Sequence, residues 1–416
     1  MSAITVNNLY KIFGKKPEQA IPMLQDGVSK PEILEQTGCT VAINNASFEI
    51  HQSETFVIMG LSGSGKSTVL RCLNRLIEPT DGEIYIGEDN EDILNVDHER
   101  LLDLRRKRMS MVFQNFGLFP HRSVLNNVAY GLEIGGMAKP EREDKAMKAI
   151  DLVGLKGYEN MKPSELSGGM QQRVGLARAL ANEPEVLLMD EAFSALDPLI
   201  RADMQEELLQ IQDRMHKTIV FITHDLDEAL KIGDRIAIMK DGMIVQIGTP
   251  EQILTEPETD YVKAFVQNVD RTKIITAGSI MRKAPFVNIK KDGPGVAVRE
   301  MEQHGVSTTF VIDGDRKFKG IVSIEDAVEL HKKKIKSLDT IIQTDAKSTS
   351  PDTPIKQLIG TAIETSHPIA VIDEQGKFLG AVDRASIISE VNLNDPDYVD
   401  ENEKADIADN KEEVLK

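Results

Sequence analysis

A chain of 416 residues has room for two or three domains with sizeable cores, and 67 acidic against 49 basic residues leave it at −18, a poor general binder of nucleic acid. Two cysteines, Cys39 and Cys72, have no metal-ligand company and fit a reducing compartment. Nothing in Met1–Thr5 reads as a signal peptide and no apolar run approaches the ~20 residues of a membrane helix, so any membrane location must come from a partner.

Residues 1–270 read as alternating strands and helices, the pattern of a parallel sheet covered on both faces. Gly14–Thr40 interrupts it, with a capping-box start at Ser29-Lys30-Pro31-Glu32. The strand Thr55–Met59 then runs into Gly60-Leu61-Ser62-Gly63-Ser64-Gly65-Lys66-Ser67-Thr68 and a helix over Thr68–Leu76. Strand, glycine loop and helix in that order make a phosphate cradle. Glycines turn consecutive N–H groups inward, Lys66 adds a point charge, and Ser67 can hold Mg²⁺.

A second strand, Met109–Phe113, delivers Gln114, placed to sense Mg²⁺ or an attacking water. Leu166-Ser167-Gly168-Gly169 opens a long helix. The apolar run Val186–Met189 ends in Asp190 and Glu191: Asp190 can hold Mg²⁺ beside Ser67, and Glu191 can act as general base on water. A helix follows over Leu199–Met215. Thr218–Ile222 delivers His224 toward a γ-phosphate, and Ile236–Met239 is a further buried strand. Parallel strands put such residues on one edge, where ligands bind.

The order Gly60–Ser67, Gln114, Leu166–Arg173, Asp190-Glu191, Ser194-Ala195-Leu196-Asp197 and His224 resembles the ATP-binding subunits of ABC transporters over about residues 5–270. That resemblance implies an α/β P-loop domain with a parallel core, an antiparallel edge and a helical subdomain. It also implies a head-to-tail homodimer enclosing ATP and Mg²⁺. Ser167, Gly168 and Gly169 of one subunit would meet the γ-phosphate held by Lys66 of the other, and Asp197 would lie in the crossing loop. Phe13 takes the place of the aromatic that stacks on adenine, with Tyr10 as second choice. Met170 departs from the glutamine usual in that signature. Asn115-Phe116-Gly117-Leu118-Phe119-Pro120-His121 resembles the stretch that meets the membrane subunit, core packing of Phe116 and Phe119 being the alternative.

Beyond Asp270 a repeat emerges. Phe310–Val322 matches Ala370–Val382 sixty residues later, each copy reading strand, polar turn, strand and helix (Ile324–His331; Arg384–Val391). The copies, about 275–334 and 335–394, resemble a tandem CBS (α+β) module, which implies an adenine nucleotide, cyclic di-AMP among the candidates, or else a purely structural pairing. Ser323 and Asp326 match the family's ribose-binding spacing; Asp383 and Ser386 reverse it. Residues 395–416 are acidic and read as a disordered tail.

An ABC ATPase with this appendage resembles the glycine betaine/proline betaine (OpuA-type osmoprotectant) importers. The resemblance implies a peripheral subunit on the cytoplasmic face of the membrane, driving a permease, a fused substrate-binding domain being one of the forms such a partner takes. An aromatic cage for a quaternary amine needs residues this chain barely has, so cargo binds on another chain. Arg105-Arg106-Lys107-Arg108 is either a solvated helix face or a patch for anionic lipid that would sense ionic strength. Other readings are an importer of another amine or amino acid, a non-catalytic adenine-nucleotide sensor, and a soluble ABC ATPase acting on ribosomes or DNA.

Overall fold

The computed structural model describes residues 1–267 and 269–392. Its two compact units divide between Val266 and Gln267, slightly before the boundary read from the sequence at Asp270. The acidic tail over 395–416 lies outside the described residues.

The first unit carries two sheets. One is four-stranded, in the order Thr40–His51, Ser2–Phe13, Asp81–Ile86, Glu91–Asp92, all antiparallel. Its alternation is visible in the chain: Val41, Ile43, Phe48 and Ile50 are buried while their neighbours face outward. The Gly14–Thr40 interruption folds between two paired strands. Phe13 pairs with Thr40, and the helix Lys30–Thr37 starts at the Ser29/Glu32 capping box and stops at left-handed Gly38. Ile12, Ala20, Ile33, Cys39 and Val41 form a small core under it.

The other sheet runs Met243–Gly248, Arg235–Lys240, Thr55–Met59, Thr218–Thr223, Val186–Asp190, Met109–Val112. Every neighbouring pair is parallel except the first. Every residue of the three central strands is buried, which is why they read as unbroken apolar runs. The last strand stops at Val112; Phe113, expected inside it, is 40% exposed. The helix after the glycine loop spans Lys66–Leu73 and ends ahead of Arg75, which takes a left-handed φ of 52°. A helical layer follows, in which Gly168–Leu180 packs against Val124–Val128 and Lys139–Leu152.

The second unit repeats one pattern. Phe286–Asn288, Thr308–Ile312 and Phe318–Ser323 form a sheet with one parallel and one antiparallel pairing, and Ser348–Thr349, Ile369–Ile372 and Phe378–Val382 form another of the same order. Each copy open-faced would expose its apolar strands. Together they bury Phe310, Ile312, Ile321, Ala370 and Phe378, with the Phe310 and Phe378 rings 4.7 Å apart. The hairpin turns also exchange backbone bonds, from Phe318 N–H to the Gly376 carbonyl (3.0 Å) and from Phe378 N–H to that of Arg316 (2.9 Å).

Candidate active site at the carboxyl edge of the parallel sheet

Four adjacent strands end on one edge and deliver the expected residues in spatial sequence: Gly60 after Met59, His224 after Thr223, Glu191 after Asp190, and Gln114 just past Val112. The glycine loop is shaped by its backbone. Gly60, Gly63 and Gly65 have φ of 152°, 81° and 103°, and a Cβ at Gly60 would collide with the Met239 carbonyl, at Gly65 with that of Ala42. Lys66 folds back over this loop, its Nζ donating to the carbonyls of Gly60 (2.8 Å) and Leu61 (3.0 Å). Burial lowers its pKa, opposed by the charges of Glu191 and Asp190. Ser62 and Gly63 are exposed along the loop and Thr68 is half-buried on the first turn of the helix.

Ser67 Oγ donates to Asp190 Oδ1 at 2.7 Å, and Asp190 Oδ2 pairs with Arg71 at 3.1 Å. Glu191 sits between two partners. Gln114 Nε2 donates to its Oε2 (3.3 Å) and to Ser194 Oγ (3.3 Å), and His224 Nδ1 lies 3.7 Å from its Oε1. The Glu191 backbone is left-handed at φ 45°, an unfavourable conformation for a residue with a side chain, held by Glu191 N–H to the Ile222 carbonyl and Ser194 Oγ–H to the Glu191 carbonyl.

A nucleoside triphosphate fits this edge. Ser64 Oγ is buried with no partner, and Lys66 has only backbone carbonyls, which phosphate oxygens can replace. For Mg²⁺ the donors are hard: the Ser67 hydroxyl, Asp190 and the Gln114 amide, with phosphate oxygens and water completing a shell. Bound there, the ion would neutralise phosphate charge. Among the described residues no group of three or more His, Cys, Asp or Glu could hold a metal by itself. With Gln114 and His224 fixing its two oxygens, Glu191 is oriented to accept a proton from water.

Ser167 and Gly168 are exposed, Ser167 accepting from Met170 N–H to start the helix Gly168–Leu180. Gly169 is buried, where a Cβ would lie 2.5 Å from Ile200 Cγ2. Among the described residues none of the three is hydrogen-bonded to the glycine loop, and Ser167 and Gly168 lie at the surface. Exposed Asp197 caps the helix Pro198–Met215. Phe13 is 43% exposed with Lys11 Nζ 4.8 Å above its ring, whereas Tyr10 is buried and unable to stack on a base.

Residues 43–194 match the ABC transporter family and residues 277–333 the CBS domain. The glycine betaine/carnitine transport ATP-binding protein GbuA of Listeria monocytogenes is 54% identical over 95% of this chain and 100% of its own. The glycine betaine transport ATP-binding protein OpuAA of Bacillus subtilis is 52% identical, over 92% and 91% respectively. The dimeric structure of MJ0796, a bacterial ABC transporter cassette, is similar at TM-score 0.50 and 33% identity, covering 59% of this chain and 98% of that one; a second structure of that cassette is a post-hydrolysis state bound to ADP and Pi. This chain belongs to the ATP-binding subunits of the glycine betaine ABC transporter family. It is an ABC-type ATPase with a C-terminal CBS domain.

As a member of that family it needs a surface for a permease, and here the expected aromatics differ. Phe116 and Phe119 are half-buried: the Phe119 ring packs 4.5 Å from that of Tyr130, and the Phe116 carbonyl accepts from Arg178 (2.9 Å). The exposed aromatic is Phe113. It lines a cavity of about 250 Å³ with Leu76, Arg105, Tyr130 and Arg178, between the sheet and the helical layer. No helix among the described residues is long and apolar enough to cross a membrane.

The remaining ABC-subunit expectations divide. Arg105 Nε donates to the Asn74 carbonyl (2.8 Å), Lys107 pairs with Asp103 (2.7 Å) and Arg108 with Asp89 (2.9 Å), whereas Arg106 makes no side-chain hydrogen bond or ion pair among the described residues. In the CBS module Ser323 Oγ donates to Asp326 Oδ2 (2.7 Å) at the start of the helix Ile324–Lys332, and Asp383 caps Ser386 N–H (2.6 Å). Sequence reasoning missed Arg71, although its position one turn after Ser67 signals a shared helix face. It also missed Tyr261, whose hydroxyl bonds the Leu61 backbone, and for that long-range contact the sequence carries no signal.

Proposed function

We propose that this chain powers import of glycine betaine, and of related quaternary amines such as proline betaine, through a permease partner at the cytoplasmic face of a membrane. The observation that carries the ATPase half is the Gln114–Glu191–His224 constellation beside Lys66 and the Ser67–Asp190 pair. The cargo half rests on the relatives, whose names specify glycine betaine transport. Two copies would close head to tail over two Mg–ATP, the Ser167–Gly169 turn of each, exposed at Ser167 and Gly168, completing the other's phosphate site. Hydrolysis then opens the pair, and the Phe113 cavity is the natural seat for a permease segment.

The CBS module would regulate this cycle by binding an adenine nucleotide, cyclic di-AMP included. Support comes from the Ser323–Asp326 pair and from a cleft of about 290 Å³ between the repeats, lined by Ile321, Gln343, Lys347 and His367. Attraction of the basic run to anionic lipid would rest chiefly on Arg106, which has no partner among the described residues, and on the largely exposed Lys107.

Co-purification with the permease and reconstitution into vesicles tests the reading. ATP-dependent uptake of labelled glycine betaine, competed by proline betaine, is expected, and cyclic di-AMP should change the rate. Uptake of an unrelated amine with none of betaine would replace the cargo assignment while keeping the ATPase.

A further inference from the structure

The first CBS repeat carries a cavity of about 880 Å³ at the far end of the module from its Ser323–Asp326 pair. The helix Ile324–Lys332 separates the two, with Ser323 at its start and His331 in its last turn, about 12 Å at 1.5 Å per residue. The cavity floor is apolar, made by Pro294, Val296 and Ile335. Around it stand Lys290, Lys291, Arg299, Lys334 and Lys336, with His331 packed on Gly295, where a Cβ would lie 3.0 Å from the ring.

None of those five cations makes an ion pair or side-chain hydrogen bond among the described residues. The single carboxylate in the wall, Asp292, accepts from Asn288 N–H at 2.7 Å. A chain of net charge −18 offers carboxylates freely, and Lys107, Lys145, Lys148 and Lys356 are among the cations that find one. Five unneutralised cations around one concavity repel one another unless an anion joins them.

The second repeat serves as an internal control. In the second repeat the strand register sets Ser348 where the first has Phe286, and the buried helix positions Ile355, Leu358 and Ala362 match Pro294, Ala297 and Met301, so Lys290, Lys291, Arg299 and His331 become Asp352, Thr353, Gly360 and Val391. The fold is the same, so it does not require the charge. Cations that do lie at that end of the second repeat are neutralised: Lys356 and Lys273 both pair with Asp270, at 3.1 and 3.7 Å. At the positions described in both repeats, the basic ring is peculiar to the first.

We infer that this cavity binds a small, multiply charged phosphate compound, at a site separate from both the ATP edge and the Ser323–Asp326 pair. Lysines at 291, 334 and 336 would supply point charges to phosphate oxygens, Arg299 a planar fork, and the apolar floor would receive an uncharged portion of the ligand. The same phosphate chemistry could be offered by a lipid headgroup; the concave shape and apolar floor favour a free molecule.

The test uses the full chain carrying Lys66→Ala, which disables the ATP phosphate site, with inorganic tripolyphosphate as probe in titration calorimetry. One binding event per chain is expected, weakening with added salt. Lys291→Gln/Lys334→Gln/Lys336→Gln, all at exposed positions, should weaken it about tenfold or more, while Ser323→Ala/Asp326→Asn leaves it intact. Phosphatidylglycerol vesicles should not capture the chain under the same conditions. Undiminished binding in the triple variant, no binding in the parent, or capture by vesicles without tripolyphosphate binding would each overturn the inference. None of these readings depends on which cargo the permease carries.

Discussion

Gln205 Nε2 donates to Glu228 Oε1 across 3.1 Å inside the fold, and this bond joins the helix behind Asp197 to the helix behind His224. Beside it Arg201 reaches both the Leu196 carbonyl (3.2 Å) and Asp225 (3.5 Å). The segment around Asp197 and the segment around His224 are therefore tied to each other through these contacts.

Glu228 gives this clamp a pH signature. Burial raises its pKa above the ordinary 4.5, against hydrogen bonds from Thr223 and Gln205 that favour the charged form. An acid whose folded pKa is raised contributes stability below its unfolded value and loses that contribution as pH climbs through the folded one. Melting curves of the intact chain and of Glu228→Gln should then draw apart in the variant's favour as pH rises above 4.5. Parallel curves across that range would mean that the carboxylate ionises without cost.

Glu191→Gln keeps the shape of the edge and removes the proton acceptor. The Gln114 and His224 contacts and the left-handed backbone hold the replacement in place, so ATP binding should persist. Turnover should fall by about 10²–10⁴, the range a positioned general base supplies. Steady-state hydrolysis with a parallel nucleotide-binding assay checks this; wild-type turnover would move the base elsewhere.

How much of this was legible beforehand follows from where the information lies. Fully buried parallel strands leave unbroken apolar runs, so Thr55–Met59, Val186–Asp190 and Thr218–Thr223 and the polar residues they deliver could be read directly. Contacts between distant segments could not. Arg178 to the Phe116 carbonyl spans 62 residues and has no local pattern. The basic run was open to two readings for a related reason: adjacency in sequence shows that four cations share a segment, whereas Asp89, Asp103 and Asn74, which engage three of them, are supplied by the fold. In the CBS module the sixty-residue repeat exposed the architecture, and only the structure showed that its two ends differ in charge.

Arg71 should matter to metal loading. It holds Asp190 Oδ2 while Ser67 holds Oδ1, so the buried carboxylate is preset before Mg²⁺ arrives. Arg71→Ala leaves one oxygen unpaired. Because Arg71 is itself half exposed, the loss of stability without nucleotide is expected to be modest, about 1 kcal/mol after screening. The Mg²⁺ concentration for half-maximal hydrolysis should rise. An unchanged Mg²⁺ titration would show that Asp190 is positioned by Ser67 and the strand alone.

Arg106 and Arg108 separate two roles that adjacency merges. Arg108 binds Asp89 through both guanidinium nitrogens, at 2.9 and 3.1 Å, and Arg108→Gln should lower the melting temperature by releasing the turn at Gly87–Asp89. Arg106→Gln breaks no bond and should leave melting unchanged. If its free charge holds the subunit against anionic lipid at low salt, an attraction of about 1 kcal/mol for one cation near such a surface, removal should shift salt activation of uptake to lower ionic strength in anionic vesicles. An identical salt profile for Arg106→Gln and the parent would leave the whole run a feature of the fold, with ionic-strength sensing to be sought in another part of the assembly.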